Sequence, residues 1–214
     1  MKARFAFALA TILASSLVAC DNEPAKGKPT AQVAAPVATQ SAAPAAGASA
    51  TYVFSNQNSE LNFVGAKVTK KHDGKFGTFS GTVTLVDSDP AKSSVKVDVD
   101  MATISADDEK LTGHLKSPDF FDVAKFPKAT FTSTSIKAGG ASGATHTVTG
   151  NLAMHGVTKS ITFPATIRVS PEGVEADAEF GINRKDFGIV YPGMPDDLIK
   201  DEVLIQLKLR AAKG

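Results

Sequence analysis

Cys20 is the only cysteine in a chain of 214 residues, and what its thiol can do depends on where it sits. A thiol can serve as a nucleophile, a metal ligand or the acceptor of a covalent group. Left free in an oxidising compartment it would be a liability. The four histidines, His72, His114, His146 and His155, offer it no partners, and none of them is spaced two, three or four residues from another. No metal-ligand pattern results. Asp107-Asp108-Glu109 suggests acid–base work, but three acids at a helix start are explained by the helix dipole. There is no Gly-x-Ser-x-Gly, Gly-rich phosphate loop or dinucleotide fingerprint. Arg184, beside Asn183 at the end of an alternating strand, reads as a structural partner for Asp186 or for an acid across the fold. No nucleophile, base and metal converge, so the chain reads as a binding or structural protein without catalytic residues rather than as an enzyme.

The surroundings of Cys20 give its thiol a different task. Lys2 and Arg4 form a short positive region, and Phe5 to Ser16 is apolar or small. That run is shorter than the roughly 20 apolar residues a bilayer span needs, and it reads as a secretory signal peptide. The junction Leu17-Val18-Ala19-Cys20 resembles the bacterial lipoprotein lipobox. The resemblance implies cleavage after residue 19 and lipidation of Cys20. Two or three acyl chains make a stable anchor where one would not. Asp21 directly after the cysteine resembles the inner-membrane retention signal of Gram-negative lipoproteins, so the expected location is periplasmic, held to the inner membrane.

Glu23 to Ala50 is rich in Ala, Pro, Thr, Gln and Ser, with Pro24, Pro29, Pro36 and Pro44 along it and no Phe, Leu, Ile or Tyr. Such a composition cannot bury enough surface to offset its conformational entropy. Residues 20–50 are therefore expected to be a lipidated cysteine and a disordered tether with a reach of roughly 30 Å. Of the chain's 23 basic and 22 acidic residues, four basic (Lys2, Arg4, Lys26, Lys28) and two acidic (Asp21, Glu23) precede residue 51, leaving 19 and 20 for residues 51–214. A near-neutral domain with no basic patch is a poor partner for nucleic acid.

From Tyr52 onward period-two alternation dominates. Leu61 and Phe63, Val83 and Leu85, Val95 to Val99, Phe131, Val148 to Met154 (with Leu152), Ile161 to Val169 (with Phe163 and Ala165), Ala176 to Ile182 (with Ala178) and Val203 to Leu209 (with Ile205 and Leu207) mark about eight strands. Short connections such as Asp73-Gly74, Gly139-Gly140 and His155-Gly156 imply antiparallel neighbours. With no long helix to cover the apolar faces, a barrel or a sandwich remains. Small residues among the inward series, including Gly81, Ser133, Gly150, Ala165 and Ala178, suggest an open bore. One insert, Ile104 to Pro127, breaks the alternation. Ser105 is expected to cap a helix carrying Leu111, His114 and Leu115, and Ser117-Pro118 to begin a second helix leading into Phe120 and Phe121. The insert is expected to pack across one mouth of the barrel.

Four stretches carry a specific resemblance: His114 to Pro127 (His-Leu-Lys-Ser-Pro-Asp-Phe-Phe-Asp-Val-Ala-Lys-Phe-Pro), Gly150 to Lys159 (Gly-Asn-Leu-Ala-Met-His-Gly-Val-Thr-Lys), Ile182 to Ile189 (Ile-Asn-Arg-Lys-Asp-Phe-Gly-Ile) and Asp201-Glu202-Val203. Together they resemble the YceI-like family, in the expected order and over nearly all of residues 51–214. The resemblance implies an all-β fold, an extended eight-stranded antiparallel lipocalin-like barrel whose interior holds a polyisoprenoid chain or similar amphiphile. Two departures lie at the mouth: Asp108 to Gly113 lacks the usual Arg-Asp ending, and Tyr191 to Lys200 is longer than a minimal loop.

The expected ligand-lining residues are Phe63, Val83, Leu85, His114, Leu115, Phe120, Phe121, Phe131, Leu152, Phe163, Ala165, Ala178, Arg184, Ile205 and Leu207. No cofactor is expected beyond a bound polyisoprenoid lipid or quinone. The expected partners are that lipid, the membrane through Cys20, and a membrane redox protein as a further candidate. The competing reading is a solid-cored structural or partner-binding envelope protein with no transported ligand.

Overall fold

The computed structural model describes residues 22–38 and 47–214. The signal peptide, Cys20 and Asp21 lie outside these residues, as does the stretch 39–46. Alternation becomes strand throughout: β1 (Gln32–Ala34), β2 (Ser49–Ser55), β3 (Glu60–Ala66), β4 (Lys71–Val86), β5 (Asp89–Ala106), β6 (Lys128–Ala138), β7 (His146–Met154), β8 (Val157–Val169), β9 (Gly173–Asn183), the short hairpin β10 (Gly193–Met194) and β11 (Asp197–Leu198), and β12 (Glu202–Lys213). Neighbouring strands pair antiparallel in the order β8-β7-β6-β5-β4, and β9 joins β8 to β12. β2 and β3 share the eighth position between β4 and β12: β3 pairs with the first halves of both long strands, β2 with their ends. The sheet thus closes as an eight-stranded antiparallel barrel, because each strand has one apolar face and, among the described residues, no helix is long enough to cover it.

Tight turns set the register. Asp87 and Ser88 (φ 53° and 56°) join β4 to β5, and His155 and Gly156 (φ 52° and 74°) join β7 to β8. Two consecutive positive φ values give a turn whose twist matches that of the strands it connects. His155 is therefore a turn residue, and its Nδ1 sits 3.0 Å from the Phe187 carbonyl.

Two glycines that suggested open space, Gly81 and Gly150, are instead seats for rings, and so is Gly74, which with Asp73 lies inside β4 rather than in the expected turn. A Cβ on Gly81 would overlap Phe54, one on Gly150 would overlap Phe131, and one on Gly74 would overlap Phe63. Phe54 and Phe63 lie directly opposite their glycines across the ladder. Ser133 is small for another reason: at a register shift its hydroxyl accepts the Val95 amide at 2.8 Å.

The insert between β5 and β6 contains one helix, α1 (Glu109–Lys116). Its cap is Asp108 rather than Ser105, because β5 continues through Ala106; the Asp108 carboxylate accepts the Leu111 amide at 2.8 Å. That backbone hydrogen bond holds its pKa below the ordinary carboxylate value. No second helix starts at Ser117-Pro118. Ser117 ends α1, its hydroxyl donating to the His114 carbonyl, and residues 118–121 continue as a turn.

The described part of the expected tether is ordered against the barrel. Residues 22–38 lie against the barrel as a strap that enters its wall, and β2 begins at Ser49, inside the stretch taken as disordered. The reason lies in the splay between β8 and β9, which pair only from Thr166 to Val169 on β8. Closer to the mouth the strands part, and the strap fills the gap. On one side β1 pairs antiparallel with Ser160, Ile161 and Thr162 of β8. On the other, the Ala31 amide donates to the Gly181 carbonyl at 2.8 Å and the Gly181 amide to the Pro29 carbonyl at 2.9 Å. Composition misled here because the strap needs no large side chains. Ala25 and Ala31 are almost fully buried, and backbone hydrogen bonds to an unfilled sheet edge supply the rest.

Candidate functional site

Many inward-facing residues of the upper barrel are only half-buried: Leu61, Phe76, Phe131, Leu152, Met154, Ile205 and Leu207. An inward side chain that is not fully covered faces internal space. That space has two parts. An outer cavity of about 540 Å³ lies under the mouth, walled by β3, α1, the turn after it and the loop from Ile189 to Lys200. An inner cavity of about 140 Å³ lies deeper, with Thr130 the single polar residue in its lining. Phe76, Met154, Ile182 and Ile205 line both and form the waist between them. Below, Tyr52, Phe54, Phe79, Val83, Leu85 and Leu209 fill the barrel as solid core.

The mouth is built from three pieces. Leu115 and Phe120 pack down onto Phe63, Ile104 and Ile189. The His114 ring stands edge-on to Phe120 (centroids 4.9 Å) and Tyr191 (5.0 Å), and its Nε2 lies 2.8 Å from Asp119. Beside the start of α1, His72 Nδ1 lies 2.7 Å from Asp107. These two pairs, with Lys67, Asp108, Asp197 and Lys200, place polar groups around a cavity whose lining is mainly apolar, an arrangement suited to an amphiphile with a polar end.

Arg184 secures the third piece. It is 5 % exposed, and its guanidinium donates to the carbonyls of Lys200 (3.1 Å), Ile189 (2.7 Å) and Ile199 (3.4 Å) and to Asp201 (3.4 Å). Burial pushes its pKa below the ordinary guanidinium value, and the Asp201 charge opposes that shift. The partner is Asp201 rather than Asp186, and the role is to pin the loop that carries Tyr191, β10 and β11. Its stem lines the outer cavity, but its hydrogen bonds go to the chain.

Of the residues expected to line the bore, Phe63, His114, Leu115, Phe120, Phe121 and Arg184 line the outer cavity, Phe131, Leu152, Phe163 and Leu207 the inner one, and Ile205 both. Four lie elsewhere. Val83 and Leu85 point inward but belong to the solid lower core, where rings leave no space. Ala165 and Ala178 sit at the seam between β8 and β9, clustered with Ala31 of the strap. Their size suits the close approach of three strands. Cys20 lies outside the described residues.

Several lining residues escaped the sequence reading. Met154 stands in an inward series and was discoverable there. Phe76 lies beside a register shift that breaks its alternation. Tyr191, one of two tyrosines, sits in a Pro- and Gly-rich loop whose path no periodicity indicates.

Comparison with known proteins agrees with this architecture. Residues 52–211 match the YceI-like domain. A UPF0312 protein of Pseudomonas putida (strain GB-1) is 36 % identical over 139 residues, covering 62 % of this chain and 71 % of its own. The crystal structure of Burkholderia cenocepacia BcnA superposes with a TM-score of 0.64 at 26 % identity, over 73 % of this chain and 98 % of that one. A polyisoprenoid binding domain from Saccharophagus degradans superposes with a TM-score of 0.60 at 18 % identity, over 77 % of this chain and 99 % of its own, a likeness of fold. The matched region begins at residue 52, so the strap lies outside it.

Proposed function

The chain belongs to the YceI-like family, and from that premise we propose that it binds one long apolar chain of the polyisoprenoid or isoprenoid-quinone class, as a lipid-anchored periplasmic carrier or store. The observation that carries this reading is the two-part cavity, which leads from a mouth flanked by His–Asp pairs to an apolar inner end. Each methylene buried there contributes about 0.8 kcal/mol, so ten contribute roughly 8 kcal/mol before the costs of association. Micromolar binding then needs more than about ten carbons, which isoprenoid chains provide. The Saccharophagus relative of the same fold, described as polyisoprenoid binding, supports this ligand class.

In this reading Cys20 is acylated, Asp21 keeps the protein at the inner membrane, and no bond of the ligand is made or broken. The His114–Asp119 and His72–Asp107 pairs receive the polar end of the ligand. The solid-cored alternative is disfavoured by the half-buried inward side chains of the upper barrel.

The test is lipid extraction and mass spectrometry of the protein purified from its native membrane, followed by uptake of a radiolabelled C40 polyprenol from vesicles. An isoprenoid recovered in stoichiometric amount, or taken up, supports the proposal. Neither recovery nor uptake would leave the solid-cored reading in its place. Cys20→Ser should yield unprocessed or released protein; mature, membrane-bound protein from that variant would refute the anchor.

A further inference from the structure

Six large hydrophobic side chains are exposed among the described residues, and four of them, Val68, Val190, Met194 and Leu198, lie at the mouth end of the barrel. They are neighbours by backbone geometry. The Val68 amide donates to the Leu198 carbonyl at 3.0 Å, Met194 and Leu198 belong to the same short hairpin, and Val190 precedes Tyr191 of the mouth. Met194 also lines the outer cavity, so the cavity reaches the surface among these residues. Contiguous exposed apolar groups at a ligand opening mark a contact surface rather than chance exposure.

The start of the strap indicates what that surface meets. The Asn22 side chain donates to the Val68 carbonyl at 2.8 Å, and the next residue, Glu23, pairs with Lys200 at 2.5 Å. The strap is thus fastened to the rim of the mouth. Cys20 is two residues before Asn22, so covalent geometry keeps it within about 7 Å of that attachment. Any acyl chains on Cys20 would enter a membrane beside the mouth, not some 30 Å away on a slack tether. Two lysines of the rim have acidic partners: Lys67 pairs with Asp197 and Lys70 with Asp107.

We propose that the mouth rim of Val68, Val190, Met194 and Leu198 rests on the lipid surface that holds the anchor, so that a membrane lipid enters the cavity without crossing water. The position of the anchor rests on the lipoprotein reading; the apolar rim does not. Because Lys67 and Lys70 have acidic partners, docking draws chiefly on apolar contact.

The experiment uses the full chain. Leu198→Cys carries an environment-sensitive NBD label at the rim. Val53→Cys carries it near the far end, where Val53 is similarly exposed (44 % against 49 %). Both are read on the native membrane-bound protein in phosphatidylethanolamine–phosphatidylcholine vesicles, and on a Cys20→Ser chain added to the same vesicles. Mass spectrometry of the N-terminal peptide reports the acyl groups independently, so failure of the anchor and failure of the rim are told apart. The rim label should shift to the blue and be quenched by a nitroxide at headgroup depth in both settings, while the far label stays in water. Val68→Ser with Leu198→Ser should slow lipid uptake from vesicles about tenfold and leave affinity measured in detergent unchanged. Equal, water-like emission from the two labels, or unchanged uptake by the double variant, would overturn the docking whatever the state of Cys20.

Discussion

Phe163 of β8 and Phe180 of β9 stack with ring centroids 4.3 Å apart and planes 18° from parallel, across a part of the seam where the two strands share no ladder pairing. Their rings close the seam from within, and the strap bridges the two strand edges, hydrogen-bonding to Gly181 on β9 and pairing with β8. The barrel wall at this point is therefore a sandwich of side chains and borrowed backbone. Part of the wall is thus supplied by a segment outside the matched domain.

Removal of the strap's hydrogen bonds should consequently weaken the whole fold. Ala31→Pro deletes the donor to the Gly181 carbonyl and leaves that buried acceptor unpaired, at a cost of about 1–3 kcal/mol. For a protein of this size that lowers Tm by roughly 3–10 °C. Calorimetry measures it. An unchanged Tm would return residues 22–38 to the role of a passive tether.

The strap should also loosen in acid. Hydrogen bonds from Lys28 and then Gln206 hold the Glu179 carboxyl below its ordinary value, and the Lys28–Glu179 ion pair links strap to barrel. A depressed carboxylate pKa contributes stability above the unfolded value, near pH 4.3, and loses it as pH falls through the folded value. Both side chains are about two-fifths exposed, so the effect is small. Amide exchange in residues 29–34 should quicken below about pH 4 in wild type beyond the intrinsic rate change, and Glu179→Gln should remove that pH dependence.

Arg184 should prove structural. Arg184→Met keeps most of the stem but strips the donors from the carbonyls of Ile189, Ile199 and Lys200. The expected cost is about 2–4 kcal/mol, with new protease cleavage between residues 190 and 200. A variant that stays as stable and as resistant as wild type, yet loses lipid binding, would instead make Arg184 a head-group ligand.

Filling the inner cavity should shorten the chain the protein accepts. Ala129 is buried and lines that cavity; Ala129→Phe, by displacing three or four methylenes, costs about 3 kcal/mol, or roughly a hundredfold in affinity for a long polyprenol. Short-chain analogues should be little affected. Ala165→Phe, at the seam, should act chiefly on stability. Equal losses for long and short chains with Ala129→Phe would place the ligand elsewhere.

The sequence by itself determined the eight main strands, their antiparallel pairing and the aromatic insert, because alternation and turn chemistry are largely local properties; it missed β1, β10 and β11, and its turn at Asp73-Gly74 lies inside β4. It also assigned Phe131, Leu152, Phe163 and Leu207 to the interior. It could not separate cavity from solid core along one inward face. Val83 and Leu207 follow the same alternation, but Val83 is packed among aromatic rings and Leu207 borders empty space, and only the placement of distant rings decides between them. Small residues misled for a related reason: Gly81 and Gly150 accommodate phenyl rings, and Ala165 and Ala178 lie by the seam and the strap. The strap itself was illegible because its binding energy resides in backbone groups, identical in every residue, that meet a gap between two strands more than a hundred residues away.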